Sequence, residues 1–113
     1  MLPLPPAIDG LIAFPQTYTV GRRAYLDLIT TEAEQHGMPA AIVDAVAKIE
    51  SGFNPNVVGG VGEIGLMQIR PQTAAMLGFK GGLTSLFEPE TNVRFGVAYL
   101  ALIGPLRVVR FGC

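Results

Sequence analysis

The chain has 113 residues, of which 50% are hydrophobic and 15% are charged, and its formal net charge is −1. This composition excludes an intrinsically disordered chain, and the length allows one domain at most, with one modest core. A nucleic-acid partner is not expected either, because Arg22-Arg23 is the only adjacent pair of basic residues and nucleic-acid binding requires a basic face.

Neither a metal site nor a transmembrane helix is predicted. The chain has one histidine, His36, and one cysteine, Cys113, which do not provide the ligand spacing of a zinc site. A single cysteine also cannot form an internal disulfide. No uninterrupted run of about 20 apolar residues is present, as a membrane-spanning helix would need. We therefore expect no metal and no cofactor.

Residues 1–20 predict an extended, proline-rich arm. The segment carries four prolines and no basic residue, and Asp9-Gly10 interrupts its apolar run. A secretory signal peptide needs a positively charged start and a continuous apolar core, so none is recognised here. The arm is expected to pack loosely through Leu11, Ile12 and Phe14.

Two helices are predicted next. The first covers 21–36, since Tyr25, Leu28 and Ile29 recur at helical spacing and Gly37 follows its end. The second covers 39–51, where apolar residues again recur at helical spacing and proline stands in the first turn.

Glu50 lies in the last turn of this second helix, where the macrodipole is negative. The dipole and apolar neighbours both raise the pKa of a carboxyl group, as a general acid working near neutral pH requires. An isolated Glu in a helix is nevertheless most often a solvated surface residue, so its position alone does not identify a catalytic group.

A glycine-rich loop follows and should return the chain beside Glu50. Five glycines stand between Gly52 and Gly65, both included, and permit tight turns and close approach to a ligand. Composition alone favours a flexible surface loop. An apolar run closes the loop, and a methionine in such a run, here Met67, usually packs in the hydrophobic core.

The last third of the chain predicts two more helices. One covers 71–77, a loop follows over 79–85, and the final helix opens at Glu88–Asn92 and ends at Gly104-Pro105. Gly96 is costly inside a helix, which predicts a close crossing there, with the helix that carries Glu50 as the expected neighbour.

Two blocks of sequence resemble a known family. The string ESGFNPNVVGGVGEIGLMQIRPQTAAMLG resembles the signature of the lytic transglycosylases with a goose-type-lysozyme-like catalytic domain. A later block, LFEPETNVRFGVAYL, is similar to the second motif of that family, in the correct order. The resemblance covers roughly Tyr25 to Ile103. It implies an all-α, lysozyme-like helical domain over residues 21–104.

The resemblance implies that Glu50 is the single catalytic acid and base, with Ser51 as an orienting residue beside it. Glu50 would protonate the glycosidic oxygen between N-acetylmuramic acid and N-acetylglucosamine, while the N-acetyl group of the substrate stabilises the oxocarbenium charge. The ionised Glu50 would then take the proton of the muramyl 6-hydroxyl, which closes a 1,6-anhydro ring.

Other residues are assigned to the glycan cleft by the same resemblance. Met67 and Gln68 would bind sugar, Gln68 through its amide, and Asn92 and Tyr99 are candidates to line the cleft. For Tyr99, burial with a satisfied hydroxyl is an equally good interpretation. Glu63 replaces the small residue usual in the family after Gly62, and a solvated carboxylate is favoured over a second cleft carboxylate.

Residues 105–113 form an atypical tail that fits nothing in the family pattern. The Ala-Tyr-Asn-Ala-Gly-like motif that the family carries further on is absent, so the domain looks truncated at its C-terminal end. The alternative function is therefore a non-catalytic remnant or a peptidoglycan-binding module. The family implies glycan strands as the partner, an envelope or secretion-system protein as a further candidate, and a location in the periplasm or cell envelope.

Overall fold

The computed structural model describes residues 16–104, with side chains from Gly21 onward. It contains five helices, which are α1 (Gln16–Gln35), α2 (Ala40–Ser51), α3 (Pro71–Met76), α4 (Leu83–Phe87) and α5 (Pro89–Ile103). Two isolated antiparallel bridges, Val58 with Ile64 and Ile64 with Ile69, lie in the loop between α2 and α3. The predicted all-α class is confirmed.

Helix α1 begins at Gln16, so the prediction of an extended arm is wrong for residues 16–20. Gly21 marks a packing position and not a helix boundary. A Cβ on Gly21 would lie 2.9 Å from the carbonyl oxygen of Phe53, so only glycine allows the loop after α2 to approach α1 this closely. The remainder of the predicted arm, with Leu11, Ile12 and Phe14, lies outside the described residues, as does the tail over 105–113.

Helix α4 was not predicted, because residues 79–85 read as a loop. Five residues are too few to show helical periodicity. The short helix nevertheless contributes to the core, since the side chain of Leu86 is completely buried. Helices α2, α3 and α5 lie close to their predicted bounds. Helix α2 ends as expected, with Gly52 in the left-handed conformation at φ +59°.

Two hydrophobic clusters make up the core. The larger joins α1, α2, α5 and the loop between α2 and α3, and its buried members are Ile29, Ala33, Met38, Val43, Ala47, Phe53, Leu66, Met67, Val93, Val97 and Leu100. The smaller contains Ile64, Ile69, Ala74 and Leu86. Each fully buried aliphatic side chain contributes about 1.5–3 kcal/mol, so burial of the inner face of α2 fixes the helix whose last turn carries Glu50.

The return segment, defined as residues 64–69, lies between the end of α2 and α5. A Cβ on Gly96 would overlap the side chain of Met67, whose Cγ would be only 2.5 Å away. The predicted close approach at Gly96 is therefore confirmed, but its expected partner is wrong. The neighbour is the return segment, and the helix that carries Glu50 supplies none of the nearest atoms.

Candidate active site

Asn92 anchors the return segment from α5. Its side chain is fully buried, its Oδ1 accepts the N–H of Met67 at 2.8 Å, and its Nδ2 donates to the carbonyls of Ile64 at 2.8 Å and Leu86 at 2.9 Å. These three bonds supply polar partners that buried backbone groups require. The expectation that Asn92 lines the glycan cleft is therefore wrong, since a side chain with no exposed surface cannot contact a glycan.

Met67 also belongs to the core and not to the cleft. Only 5% of its surface is exposed, and its side chain packs against Gly96. The sugar-binding role implied by the resemblance is wrong for this side chain. The apolar run of Leu66, Met67 and Ile69 in the sequence had already pointed to burial.

Gln68 holds the loop in place with its amide nitrogen. Its backbone is left-handed at φ +51°, and Nε2 donates to the carbonyls of Val57 and Gly65, both at 3.0 Å. The amide N–H groups are thus used within the protein. The other end of the amide, Oε1, would lie 2.7 Å from a Cβ on Gly59, and it accepts no hydrogen bond within residues 16–104. Any contact of Gln68 with a ligand would therefore use this oxygen.

Ser51 joins the end of α2 to the return segment. Its Oγ lies 2.8 Å from the carbonyl oxygen of Leu66 and 3.1 Å from that of Ala47, and its single proton can serve one of them at a time. The hydroxyl thus orients the last turn of α2 through a backbone contact. Within the described part of the chain it does not hydrogen bond to the carboxyl of Glu50.

The carboxyl group of Glu50 lies on the surface at the end of α2. Desolvation by its surroundings raises the pKa of Glu50, and the negative charge of Glu63 raises it further. The direction agrees with the sequence prediction, which named desolvation as one cause. The contribution of Glu63 was not predicted.

Glu63 is the carboxylate whose charge acts on Glu50, and its own pKa is displaced in the opposite direction. Its Oε1 accepts the N–H of Val61 at 3.0 Å. Hydrogen bonds from the backbone N–H groups of Glu63 and Val61 lower the pKa of Glu63, and the positive charge of Arg70 adds a smaller effect of the same sign. Two neighbouring carboxyl groups with pKa values displaced in opposite directions are typical of sites that separate acid and charge-holding roles.

Tyr99 remains a candidate to contact a ligand. It lies about one helical turn after Gly96 on α5 and is 36% exposed. Its hydroxyl forms no hydrogen bond within residues 16–104, unlike that of a tyrosine buried for packing. The predicted site residues thus fall into three groups. Glu50 and Tyr99 are exposed, Ser51 and Gln68 are half-buried and hold backbone carbonyls, and Met67 and Asn92 are buried.

The described residues contain neither a candidate metal site nor a membrane span. No group of three or more His, Cys, Asp or Glu side chains comes together between residues 16 and 104. No helix in this part of the chain is both long and apolar enough to cross a bilayer.

This arrangement has a counterpart in known proteins. The model of the family described as Transglycosylase SLT domain matches residues 27–103. The chain belongs to this family. The region matched includes Glu50, the return segment and the whole of α5, so the SLT domain contains every described element except the first part of α1.

Curated relatives of this SLT domain are longer proteins. It is 38% identical over 92 residues to a membrane-bound lytic murein transglycosylase C of Haemophilus influenzae strain PittGG, covering 74% of this chain and 26% of that protein. The protein of the same name from Edwardsiella ictaluri is 37% identical over 86 residues, covering 70% of this chain and 24% of that protein. The chain thus spans about a quarter of the length of these relatives.

Solved structures show the same fold. A complex of the 70-kDa soluble lytic transglycosylase with bulgecin A matches with a TM-score of 0.65 and 35% identity, covering 71% of this chain and 14% of that one. An inactive mutant of the lytic transglycosylase Slt from Pseudomonas aeruginosa matches with a TM-score of 0.63 and 32% identity, covering 85% of this chain and 15% of that one. The predicted lysozyme-like helical fold is confirmed.

Proposed function

We propose that this SLT domain is a peptidoglycan lytic transglycosylase that cleaves the MurNAc-β-1,4-GlcNAc bond, with Glu50 as its single acid and base. The observation that carries the proposal is the place of Glu50 at the end of α2, next to a loop held by buried and half-buried hydrogen bonds within the matched SLT domain. The raised pKa of Glu50 agrees with this role. The relatives named lytic murein transglycosylases support the substrate class.

A raised pKa suits both halves of the proposed reaction. The protonated carboxyl of Glu50 donates its proton to the glycosidic oxygen as the bond to the muramyl C1 breaks. The N-acetyl group of the substrate stabilises the positive charge that develops. The resulting carboxylate takes the proton of the 6-hydroxyl, whose oxygen bonds to C1 and closes the 1,6-anhydro ring. The proton thus returns to Glu50, and no water is consumed.

We also propose that the domain works in the cell envelope on glycan strands. The support is the name of the curated relatives, which are membrane-bound murein transglycosylases. An envelope or secretion-system protein remains the candidate partner.

The test is incubation with purified sacculi, followed by mass spectrometry of the released fragments. The expected products carry 1,6-anhydromuramic ends, which are lighter by one water than the ends left by hydrolysis. Glu50→Gln should abolish these products while its far-UV circular dichroism stays unchanged. Glu90→Gln is a matched control, since Glu90 is an exposed carboxylate that pairs with Arg94 on α5. Ordinary reducing ends alone, or full activity of the Glu50 variant, would contradict the proposal.

A second candidate function is a peptidoglycan-binding module that does not cleave. The observation in its favour is the exposure of Glu50, whose carboxyl forms no hydrogen bond within residues 16–104, whereas catalytic acids usually work where water is excluded. Retention of the domain on sacculi without release of any fragment would support this function.

A further inference from the structure

Two side-chain oxygens face the same side of Gly59. The position that a Cβ on Gly59 would occupy lies 2.5 Å from Oε1 of Glu63 and 2.7 Å from Oε1 of Gln68. These two oxygens, called here the acceptor pair, are therefore separated by no more than the two distances laid end to end. Because N–H···O hydrogen bonds are roughly 2.7–3.2 Å long, a single nitrogen atom between the oxygens can bond to both.

Gly59 is needed for space and not for its backbone conformation. Its φ angle is not positive, unlike those of Gly52, Gly62 and Gly65, so a residue with a side chain is compatible with the backbone here. A methyl group at this position would instead fill the gap between the acceptor pair. The neighbouring Gly60 also has no positive φ angle, and no heavy atom lies within 4 Å of its Cβ position. The gap thus belongs to Gly59 alone.

Both oxygens are fixed as hydrogen-bond acceptors. Nε2 of Gln68 donates to the carbonyls of Val57 and Gly65, each at 3.0 Å, which determines how the amide is turned and where its Oε1 points. This oxygen accepts no hydrogen bond within residues 16–104. Oε1 of Glu63 accepts the N–H of Val61 at 3.0 Å and can accept a second bond, because each carboxylate oxygen has two lone pairs.

The ligand group that suits the acceptor pair is a primary ammonium. It carries three N–H donors on one nitrogen, whereas a hydroxyl group carries a single proton and can serve only one of the two oxygens. The carboxylate of Glu63 strengthens such a contact, since hydrogen bonds between charged groups are shorter and stronger than neutral ones. A calcium ion is a poorer match, because it takes about six to eight oxygen ligands and the pair supplies two.

The charge and the exposure of this part of the loop agree with a cationic ligand. Glu63 and Gln68 are half-buried and Gly60 is exposed, so the acceptor pair can be reached from solvent. Backbone hydrogen bonds lower the pKa of Glu63, which is therefore ionised at neutral pH. Within the described residues, Arg70 is the cation that acts on Glu63, and its effect is the smallest of those on this carboxyl. The negative charge thus stays available to a ligand.

We propose that the acceptor pair is a subsite for a primary ammonium group of murein, seated over Gly59. The subsite lies beside the end of α2, since Gln68 is two residues after Leu66, whose carbonyl accepts the hydroxyl of Ser51. Murein presents such a group either on an amino sugar that lacks its N-acetyl group or on the free amine of a diamino acid in a stem peptide. The identity of the polymer rests on the proposed function, whereas the chemistry of the subsite does not.

Two pairs of probes distinguish these sources, and the members of each pair differ only in a free or an acetylated amine. The first pair is the β-1,4-linked tetramer of glucosamine and that of N-acetylglucosamine. The second is an N-terminally acetylated stem tripeptide whose diaminopimelate side-chain amine is free or acetylated. Isothermal titration calorimetry at about pH 6, where the amines are charged, measures the binding. The wild type should bind the free amine of one pair about three- to tenfold more tightly than the acetylated form.

Four variants show whether the acceptor pair causes this preference. Glu63→Gln removes the charge but keeps an oxygen for the N–H of Val61, and it should abolish the preference. Gly59→Ala should do the same by filling the gap, whereas its matched control Gly60→Ala places a methyl group where no neighbour lies and should keep it. Glu90→Gln, which removes one exposed charge from α5, should keep it as well. Far-UV circular dichroism checks the fold of each variant.

A preference within either pair of probes that is lost in Glu63→Gln supports the subsite and identifies the source of its ammonium. The proposal is overturned if the wild type shows no preference in either pair, if Glu63→Gln retains it, or if Gly60→Ala or Glu90→Gln loses it equally. Should Gly59→Ala fail to fold, Glu63→Gln decides alone. These measurements record binding and not cleavage. If the preference is found while sacculi release no anhydro product, the proposed function fails and the subsite stands.

Discussion

At the scale of single residues, the buried polar group of greatest consequence is the amide of Asn92. It connects α5 to the return segment and to the end of α4 by three hydrogen bonds of 2.8–2.9 Å. A buried backbone group that loses its only partner costs about 1–3 kcal/mol. Asn92 serves the N–H of Met67 and the carbonyl of Leu86, whereas the carbonyl of Ile64 also accepts the N–H of Ile69. Its stabilising effect therefore exceeds that of a typical surface hydrogen bond.

Asn92→Ala should lower the free energy of unfolding by about 2–4 kcal/mol, because it leaves the N–H of Met67 and the carbonyl of Leu86 without this partner, while the carbonyl of Ile64 keeps the N–H of Ile69. Urea unfolding followed by circular dichroism measures the loss. The matched control is Asn54→Ala, which removes an exposed amide that accepts one N–H from Asn56 and should cost less than about 1 kcal/mol. Equal losses for the two variants would show that the amide of Asn92 is not the anchor described here.

A second prediction at this scale concerns the pH dependence of stability. Because the pKa of Glu50 is raised in the folded state, folding favours its protonated form, and this stabilisation is lost as pH rises from the ordinary glutamate pKa through the folded one. Glu50→Gln should thus be more stable than the wild type at pH 7, by about 0.5 kcal/mol at most in this exposed setting, and equal to it below about pH 4. Thermal unfolding across this pH range measures the difference, and a variant less stable at pH 7 contradicts the prediction.

The sequence predicts the environment of some site residues but not of others, and the difference has a physical cause. Glu50 was assigned its role through the family motif, because its position in a helix predicts the direction of its pKa shift but does not identify a catalytic group. Met67 and Asn92 could not be assigned correctly from the motif, because a motif records which residues occur together but not which of them is buried. The effect of Glu63 depends on how the loop folds back, which glycine spacing leaves open.

At the scale of secondary-structure elements, glycines mark positions of close packing as well as turns. Gly21 lies inside α1 against the backbone of Phe53, and Gly96 lies inside α5 against Met67. Treating such a glycine as a helix boundary places the start of the helix wrongly. For this reason α1 was predicted to begin at Gly21, whereas it begins at Gln16. Helix α4 was missed for another reason, since five residues show no period.

Gly96→Ala tests the close contact between α5 and the return segment. Helix propensity alone would stabilise this variant by about 1 kcal/mol. The new methyl group would overlap Met67 near its backbone, where rotation of the side chain gives no relief. We therefore expect a net loss of about 1–3 kcal/mol in denaturant unfolding. Ala101→Gly, at an exposed position of the same helix, measures the effect of helix propensity alone on the free energy of unfolding. A gain for Gly96→Ala equal to the loss in that control would contradict the proposed contact.

At the scale of the whole molecule, the return segment couples the two hydrophobic clusters. Ile64 and Ile69 belong to the smaller cluster, whereas Leu66 and Met67, between them in the chain, belong to the larger one. The backbone bonds between Ile64 and Ile69, at 2.9 and 3.1 Å, close this segment on itself. Losing packing in one cluster should therefore disturb the other, which makes the described domain a single cooperative unit.

Leu86→Ala should reveal this coupling, because Leu86 is completely buried in the smaller cluster. Its truncation should cost about 2–5 kcal/mol. In native-state hydrogen exchange, the amide of Ile69, which donates to Ile64, and that of Val97 in the larger cluster should lose protection by equal amounts. Leu83→Ala, on the same short helix at a side chain that is 57% exposed, should leave both amides nearly unchanged. If Ile69 lost protection while Val97 kept it, the clusters would unfold independently, and the placement of Glu50 on α2 would not depend on the smaller one.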